Sequence, residues 1–229
     1  MNELAPGTST RRCAEGVPFA GPRQALCYRA AKRAFDVAVS LLALLALGVP
    51  MLIIALAIRL ESRGAAVFRQ RRAGWRGRPF HMLKFRTMRE DVDAYDASPR
   101  SGDDPRLTRT GRLLRETSLD ELPQLLNVLA GQMSLVGPRP LYERQAELWD
   151  RRQRRRLDVR PGISGYAQAY GRGEMMLEDK IEFDLYYVAN ASFRLDMAIV
   201  LRTLVNVLTR RAGGVYERRY SRMRERETD

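Results

Sequence analysis

Two adjacent carboxylates, Asp120 and Glu121, lie in the run Thr117-Ser118-Leu119-Asp120-Glu121-Leu122-Pro123-Gln124. Ser118 and Glu121 have the spacing of a capping box, and acidic residues are favoured in a first helical turn, so the run by itself reads as a helix start. Its neighbours widen that reading. Arg109, Arg112 and Arg115 lie just upstream, Gly137-Pro138-Arg139-Pro140 lies just downstream, and Lys84 and Arg86 come from a short alternating segment. Guanidinium groups beside a carboxylate favour its charged form. Such a carboxylate can act as a nucleophile or hold a divalent cation, and arginine forks fit phosphate oxygens two at a time. An oxygen nucleophile, a Mg²⁺ ion and cations around a migrating group are what phosphoryl transfer requires.

Other chemistries have less to work with. His81 is the only histidine and sits in Phe80-His81-Met82-Leu83-Lys84-Phe85, which reads as a strand. Serine–histidine or cysteine–histidine catalysis would depend on it alone. Cys13 and Cys27 are the only cysteines and have no metal-ligand spacing. The formal net charge of +13 draws in polyanions, whether nucleic acid, anionic lipid or phosphorylated substrate.

The elements around these residues are unusual for a soluble domain. Val37 to Ile58 is 22 residues without a charge, and about 20 apolar residues cross a bilayer core as a helix. Pro50 interrupts the run, where proline removes a backbone donor and bends a helix. Lys32 and Arg33 precede the run and Arg59 and Arg63 follow it. Basic residues gather on the cytoplasmic side of membrane helices. These features suit a re-entrant helix that enters the membrane, bends at Pro50 and returns to the same face, and a straight single crossing stays open on the residues alone. Val67 to Gln70 and Phe80 to Phe85 alternate on either side of Gly74–Pro79, the pattern of a β-hairpin. Asp91 to Pro105 reads as a polar loop. Leu119 to Ala130 reads as a helix with Pro123 in its first turn and Gly131 as its stop. Gln145 to Arg160 is strongly basic, and Arg194 to Leu208 is an amphipathic helix with Arg194, Arg202, Asn206 and Arg210 in its polar stripe.

With these motifs in view, the chain resembles the bacterial sugar transferases known as monotopic phosphoglycosyl transferases, in their small form. The resemblance rests on Lys32-Arg33-Ala34-Phe35-Asp36, Lys84-Phe85-Arg86-Thr87-Met88, Asp104-Pro105-Arg106-Leu107-Thr108, the run Arg115 to Gln124, Ser134 to Pro140 and Arg160-Pro161-Gly162-Ile163-Ser164-Gly165, in that order, with a weaker match at Asp184 to Val188. It implies that Asp120 is the nucleophile and Glu121 the ligand of a Mg²⁺ cofactor. It further implies that a UDP-sugar gives its phosphosugar to Asp120 and releases UMP, and that undecaprenyl phosphate then takes the phosphosugar. Lys84, Arg86, Arg115, Arg139, Arg160 and Asp184 are the substrate-binding residues by the same analogy. The chain differs from the family's common pattern at Val49, at Ser62-Arg63-Gly64-Ala65 and at Tyr170-Gly171-Arg172-Gly173, so the sugar is not implied.

The fold class expected is α+β and mainly helical, a monotopic membrane protein with a re-entrant N-terminal helix, a small β-hairpin and interfacial amphipathic helices. The divisions expected are a mobile tail over 1–28, a re-entrant membrane helix over 29–62, a cytosolic catalytic domain over 63–212 and a basic tail over 213–229. The expected seat is the cytoplasmic face of the bacterial inner membrane, with membrane lipid as a partner, nucleic acid excluded and homodimerisation left open. A nucleic-acid binder would account for the charge, and a single-pass scaffold for the apolar run, but neither accounts for the Asp120–Glu121 site.

Overall fold

A computed structural model describes residues 26–92, 99, 103–171 and 176–209. Most of the tail expected over 1–28, the tail over 213–229, most of the polar loop before Pro105, and Arg172, Gly173 and Arg210 lie outside the described residues. The described part is α+β and mostly helical.

The first element, α1 (Leu26–Glu61), is a helix of 36 residues that stays helical through Pro50. Its centre faces away from the rest of the molecule, with Leu45 74% and Leu52 72% exposed. Its two ends both hold the same body. Near the start, Lys32 Nζ pairs with Asp196 at 2.9 Å and the Arg33 guanidinium donates to the carbonyls of Val128 and Leu129. The buried Asp36 carboxylate accepts from Leu135 N at 3.2 Å. Near the end, Ile58 is buried with Phe85 and Leu114, and Met51, Ile54 and Ala55 pack beside them. The Lys32-Arg33-Ala34-Phe35-Asp36 motif is thus the clamp that seats α1 on the body.

The hairpin is present as expected, slightly longer than the alternation suggests. Strand β1 (Val67–Ala73) pairs antiparallel with β2 (Pro79–Phe85). Phe68 lies opposite Lys84 and Ala73 opposite Pro79. His81 is exposed on β2. Helix α2 (Arg109–Thr117) is capped by Thr108, whose side chain accepts from Gly111 N. Glu61 adds a second cap by accepting from the amides of Arg109 and Thr110, which satisfies donors that a helix start leaves open. Gly111 is pressed against the backbone of Thr87, where a Cβ would come within 2.0 Å of the carbonyl oxygen.

The helix expected over Leu119–Ala130 divides at Pro123. Leu119–Glu121 forms a 3₁₀ turn, and α3 (Gln124–Leu129) begins only after the proline. Ser118 stands in the left-handed region, φ 59°, and its side chain caps nothing. The capping-box arrangement is therefore not formed. Ser118 instead swings the chain so that Asp120 and Glu121 turn toward β2, and Glu121 spends its oxygens on cations rather than on backbone. A non-glycine residue at such a φ is costly, and such strain gathers at functional sites.

Strand β3 (Ser134–Val136) runs parallel to β4 (Gly162–Ser164). A Cβ at Gly162 would lie 2.1 Å from Gly137 N, so both positions need glycine to bring the strands this close. Helix α4 (Glu143–Glu147), a 3₁₀ stretch over Gln153–Asp158, and α5 (Tyr166–Tyr170) connect to α6 (Leu177–Asn190) and α7 (Phe193–Leu208). Val136, Tyr187, Val188 and Ile199 form the buried centre under these last helices. Along α7, Phe193, Leu201, Leu204, Val205 and Val207 are exposed, whereas Asn206, expected in the outer polar stripe, donates to Ala169 O.

Candidate active site

Strand β2, the 3₁₀ turn and the loop after β3 bring four of the expected residues together. Asn127 sets the first two in register: its amide donates to His81 O at 2.8 Å and its carbonyl accepts from Leu83 N at 2.9 Å, so α3 grips β2 beside Lys84. Lys84 Nζ lies 2.9 Å from Glu121 Oε1 and 3.8 Å from Asp120 Oδ2. Arg139, between Pro138 and Pro140, takes both oxygens of Glu121, with Nη1 at 3.2 Å from Oε2 and Nη2 on Oε1. The two carboxylates therefore differ in kind. Glu121 is clasped by two cations. Asp120, only 7% exposed, accepts no hydrogen bond from any described residue, and Lys84 is the sole cation in ion-pair range.

The electrostatics follow that asymmetry. Burial pushes the Asp120 carboxyl above its ordinary range; Lys84 pulls it down, Glu121 pushes it up, and Arg115 and Arg139 pull it down. Burial would push Glu121 up as well, but Arg139 and Lys84 outweigh it and hold the group well below the carboxylate range. Burial lowers the Lys84 ammonium. The site so holds an ionised, clamped glutamate beside a less committed aspartate.

Arg115 stands next to this group on α2, its Nε donating to Thr87 Oγ1 at 3.0 Å. Three further expected residues are elsewhere. The Arg86 guanidinium donates to the Ser62 and Arg63 carbonyls, closing the C-terminal end of α1, a place where a cation offsets the helix dipole. Arg160 donates to Gly131 O at 3.0 Å and covers Trp75 at the hairpin tip. Asp184 is buried in an ion pair with Arg156, each side chain 3% exposed.

Comparison with known proteins decides the family. The sequence matches the model of the bacterial sugar transferases over residues 27–210. The chain belongs to the bacterial sugar transferase family. The "Uncharacterized sugar transferase EpsL" of Bacillus subtilis is 45% identical to it over 178 residues, 77% of this chain and 87% of the relative. The "UDP-glucose:undecaprenyl-phosphate glucose-1-phosphate transferase" of Caulobacter vibrioides is 44% identical over 216 residues, 90% of this chain and 79% of the relative. A "UDP-N-acetylgalactosamine-undecaprenyl-phosphate N-acetylgalactosaminephosphotransferase" of Aeromonas hydrophila is 39% identical over 188 residues, 80% of this chain and 44% of the relative.

In this transferase the Asp184–Arg156 pair reaches the site at one remove, because Arg156 Nη2 also donates to the Arg139 carbonyl at 2.8 Å. Asp184→Asn would leave a buried guanidinium without its counter-charge, which costs about 3 kcal/mol or more. The expected result is a fall of roughly 6–12 °C in thermal midpoint for a chain of this size, measured by unfolding in detergent micelles; an unchanged midpoint would show that the pair carries no stability. Two residues near the carboxylate pair were given no role from the sequence. Arg72 lies 3.7 Å over the Tyr142 ring and donates to Pro140 O, supporting the Arg139 loop, and Thr87 holds Arg115. Neither stands out in composition or periodicity, since each acts through a partner distant in the chain.

Proposed function

We propose that the chain transfers a sugar phosphate from a UDP-sugar to undecaprenyl phosphate in two displacements, the first membrane step of cell-surface glycan assembly. An Asp120 carboxylate oxygen attacks the sugar-bearing phosphorus of the donor. The bond from that phosphorus to the bridging oxygen breaks and UMP departs with the electron pair. A phosphate oxygen of the lipid then attacks the same phosphorus, the aspartyl bond breaks, and the lipid leaves as the diphosphate-linked sugar. The observation that carries this reading is the difference within the pair: Asp120 accepts no hydrogen bond from a described residue and meets Lys84 only at 3.8 Å, while Glu121 beside it is clasped by Lys84 and Arg139. Splitting one transfer between two large substrates into two steps is what a carboxylate nucleophile offers. The names of the relatives from Caulobacter and Aeromonas support a UDP-sugar donor and an undecaprenyl phosphate acceptor, and three rhizobial relatives are named as exopolysaccharide production proteins.

Mg²⁺ ordinarily takes one or two protein carboxylates together with substrate phosphates. Among the described residues no group of three or more potential ligands gathers, and the Asp120–Glu121 pair fits that sparse mode, with Glu121 as the protein ligand. The ion would neutralise charge on the diphosphate. Lys84, Arg115 and Arg139 supply the remaining positive field around the phosphates. Incubation with a panel of UDP-sugars, undecaprenyl phosphate and Mg²⁺, read as UMP release, tests the reaction and names the sugar; release with none of them would overturn it.

The membrane seat is part of the same reading. Residues Cys27–Glu61 form a helix apolar and long enough to cross a bilayer, yet both ends are clamped to one body that holds the carboxylates. A straight crossing would separate those ends by roughly 30 Å of hydrocarbon. A re-entrant path, bent at Pro50, keeps both on the cytoplasmic face of the inner membrane, where the exposed apolar side of α7 would lie in the interface. In a chain with Cys13 and Cys27 replaced by Ser, Ala31→Cys and Arg63→Cys are expected to resist a membrane-impermeant maleimide in spheroplasts and to react in inverted vesicles. Labelling of either from outside would mean a crossing.

A further inference from the structure

At the tip of the hairpin the Trp75 indole is surrounded by guanidinium groups. Arg76 and Arg160 each stand 4.7 Å from its ring centre and Arg29 stands 5.9 Å away. The ring is fixed by its Nε1, which donates to Asp158 O at 3.2 Å. It opens on a shallow, solvent-open cleft to which Arg33, Asp36 and Asp158 also contribute. Among the described residues no carboxylate comes within ion-pair distance of Arg29, Arg76 or Arg160. Burial, with Arg33 and Arg29 close by, holds the Arg160 guanidinium below its ordinary range, although Asp36 pulls the other way. Positive charge is thus concentrated around one indole, with Asp36 and Asp158 on the cleft wall but no carboxylate of a described residue in ion-pair contact with the three guanidinium groups.

This cluster is not the carboxylate site. Lys84 is five ladder positions from the Ala73–Pro79 end of the hairpin, which is roughly 17 Å along a strand. Its depth is set by α1. Arg33 and Arg29 precede the apolar run at Val37 by four and eight residues, or roughly 6 and 12 Å of helix. The polar layer on each side of the hydrocarbon is about 5–8 Å thick, so Arg33 lies within it and Arg29 just beyond its outer edge, within reach of its own long side chain; tryptophan is enriched at that level. Arginine forks bind phosphate oxygens, and basic residues there draw anionic headgroups.

We propose that Arg29, Arg76 and Arg160 around Trp75 form a binding site for the phosphodiester headgroup of an anionic membrane phospholipid. The inference rests on the membrane seat proposed above. A bound lipid would tie the hairpin tip to the start of α1 and so fix the height of the catalytic body over the bilayer.

Trp75 reports on its own site. The purified full chain in neutral detergent micelles is titrated with dioleoylphosphatidylglycerol, with dioleoylphosphatidylcholine, with undecaprenyl phosphate, and separately with inorganic phosphate and UMP, while tryptophan emission is followed. Phosphatidylglycerol is expected to change the emission saturably at a low mole fraction, and phosphatidylcholine is not. Trp75→Phe should abolish the change, and the double variant Arg29→Gln, Arg76→Gln should weaken it at least tenfold, while the buried Trp149 continues to report an intact fold. An equal response to inorganic phosphate or UMP would make this a soluble-phosphate pocket, a response to undecaprenyl phosphate alone would make it part of the acceptor site, and no response would leave the cluster without a ligand; each overturns the proposal. Recovery of the chain in carbonate-washed membranes distinguishes loss of the lipid site from failure of the membrane seat.

Discussion

Asp120→Asn is expected to lower turnover by at least about 10³-fold, the scale on which removal of a covalent nucleophile acts, while leaving the thermal midpoint within a few degrees. The substitution keeps the size and shape of the side chain. The native carboxylate accepts no hydrogen bond from a described residue and meets Lys84 only at 3.8 Å, so little structure depends on its charge. The proposed first displacement depends on it wholly, because a neutral amide oxygen is a poor nucleophile toward a phosphate. A pH consequence accompanies this. Burial, with Glu121 alongside, raises the Asp120 carboxyl despite Lys84, Arg115 and Arg139, and the attacking form is the deprotonated one. The acid limb of kcat/KM in the wild type is therefore expected above the ordinary carboxylate range, with activity lost as the pH falls through it. If Asp120→Asn retains more than a tenth of wild-type UMP release, direct attack by the lipid phosphate is the better mechanism.

Glu121→Gln is expected to lower turnover by roughly 10²-fold, equal to about 2.7 kcal/mol of transition-state stabilisation. Two roles converge on this carboxylate. It clasps Lys84 and Arg139 in the structure, and it is the proposed ligand of Mg²⁺. A loss of activity alone would not separate them, so the informative quantity is the Mg²⁺ concentration at half-maximal rate, which should rise at least tenfold. A slow variant with an unchanged Mg²⁺ requirement would confine Glu121 to holding its two cations.

How far these features can be read from the chain varies with their range. The hairpin was legible because alternation and the glycine–proline turn are local signals. The long apolar helix was legible because its composition admits few other uses. The break at Pro123 was not, because the capping-box spacing of Ser118 and Glu121 fits an unbroken helix equally well until Lys84 and Arg139, far apart in the chain, compete for the glutamate. Lys84 and Arg139 were expected at the carboxylates and lie there. Arg86 and Arg160 were expected among the substrate-binding residues, yet they lie away from the carboxylates and donate to carbonyls at the ends of α1 and α3. A sequence shows that a guanidinium is present but not which way it points. Asp184 was chosen by family resemblance, and its buried pairing with Arg156 depends on helices packed only in the folded chain. The residues that clamp α1 show the same limit, since Asp196, 160 positions beyond Asp36, has no signal that pairs it with Lys32.

The central claim is that Asp120 carries the phosphosugar between donor and acceptor. It is tested most directly by incubating the enzyme with its UDP-sugar and Mg²⁺ without lipid acceptor, and weighing the intact chain by mass spectrometry. The account predicts an increase equal to one sugar phosphate less water, mapped to the peptide containing Asp120, absent in Asp120→Asn, and discharged when undecaprenyl phosphate is added. An enzyme that turns over fully with both substrates yet shows no such adduct, or carries it on another residue, would contradict it.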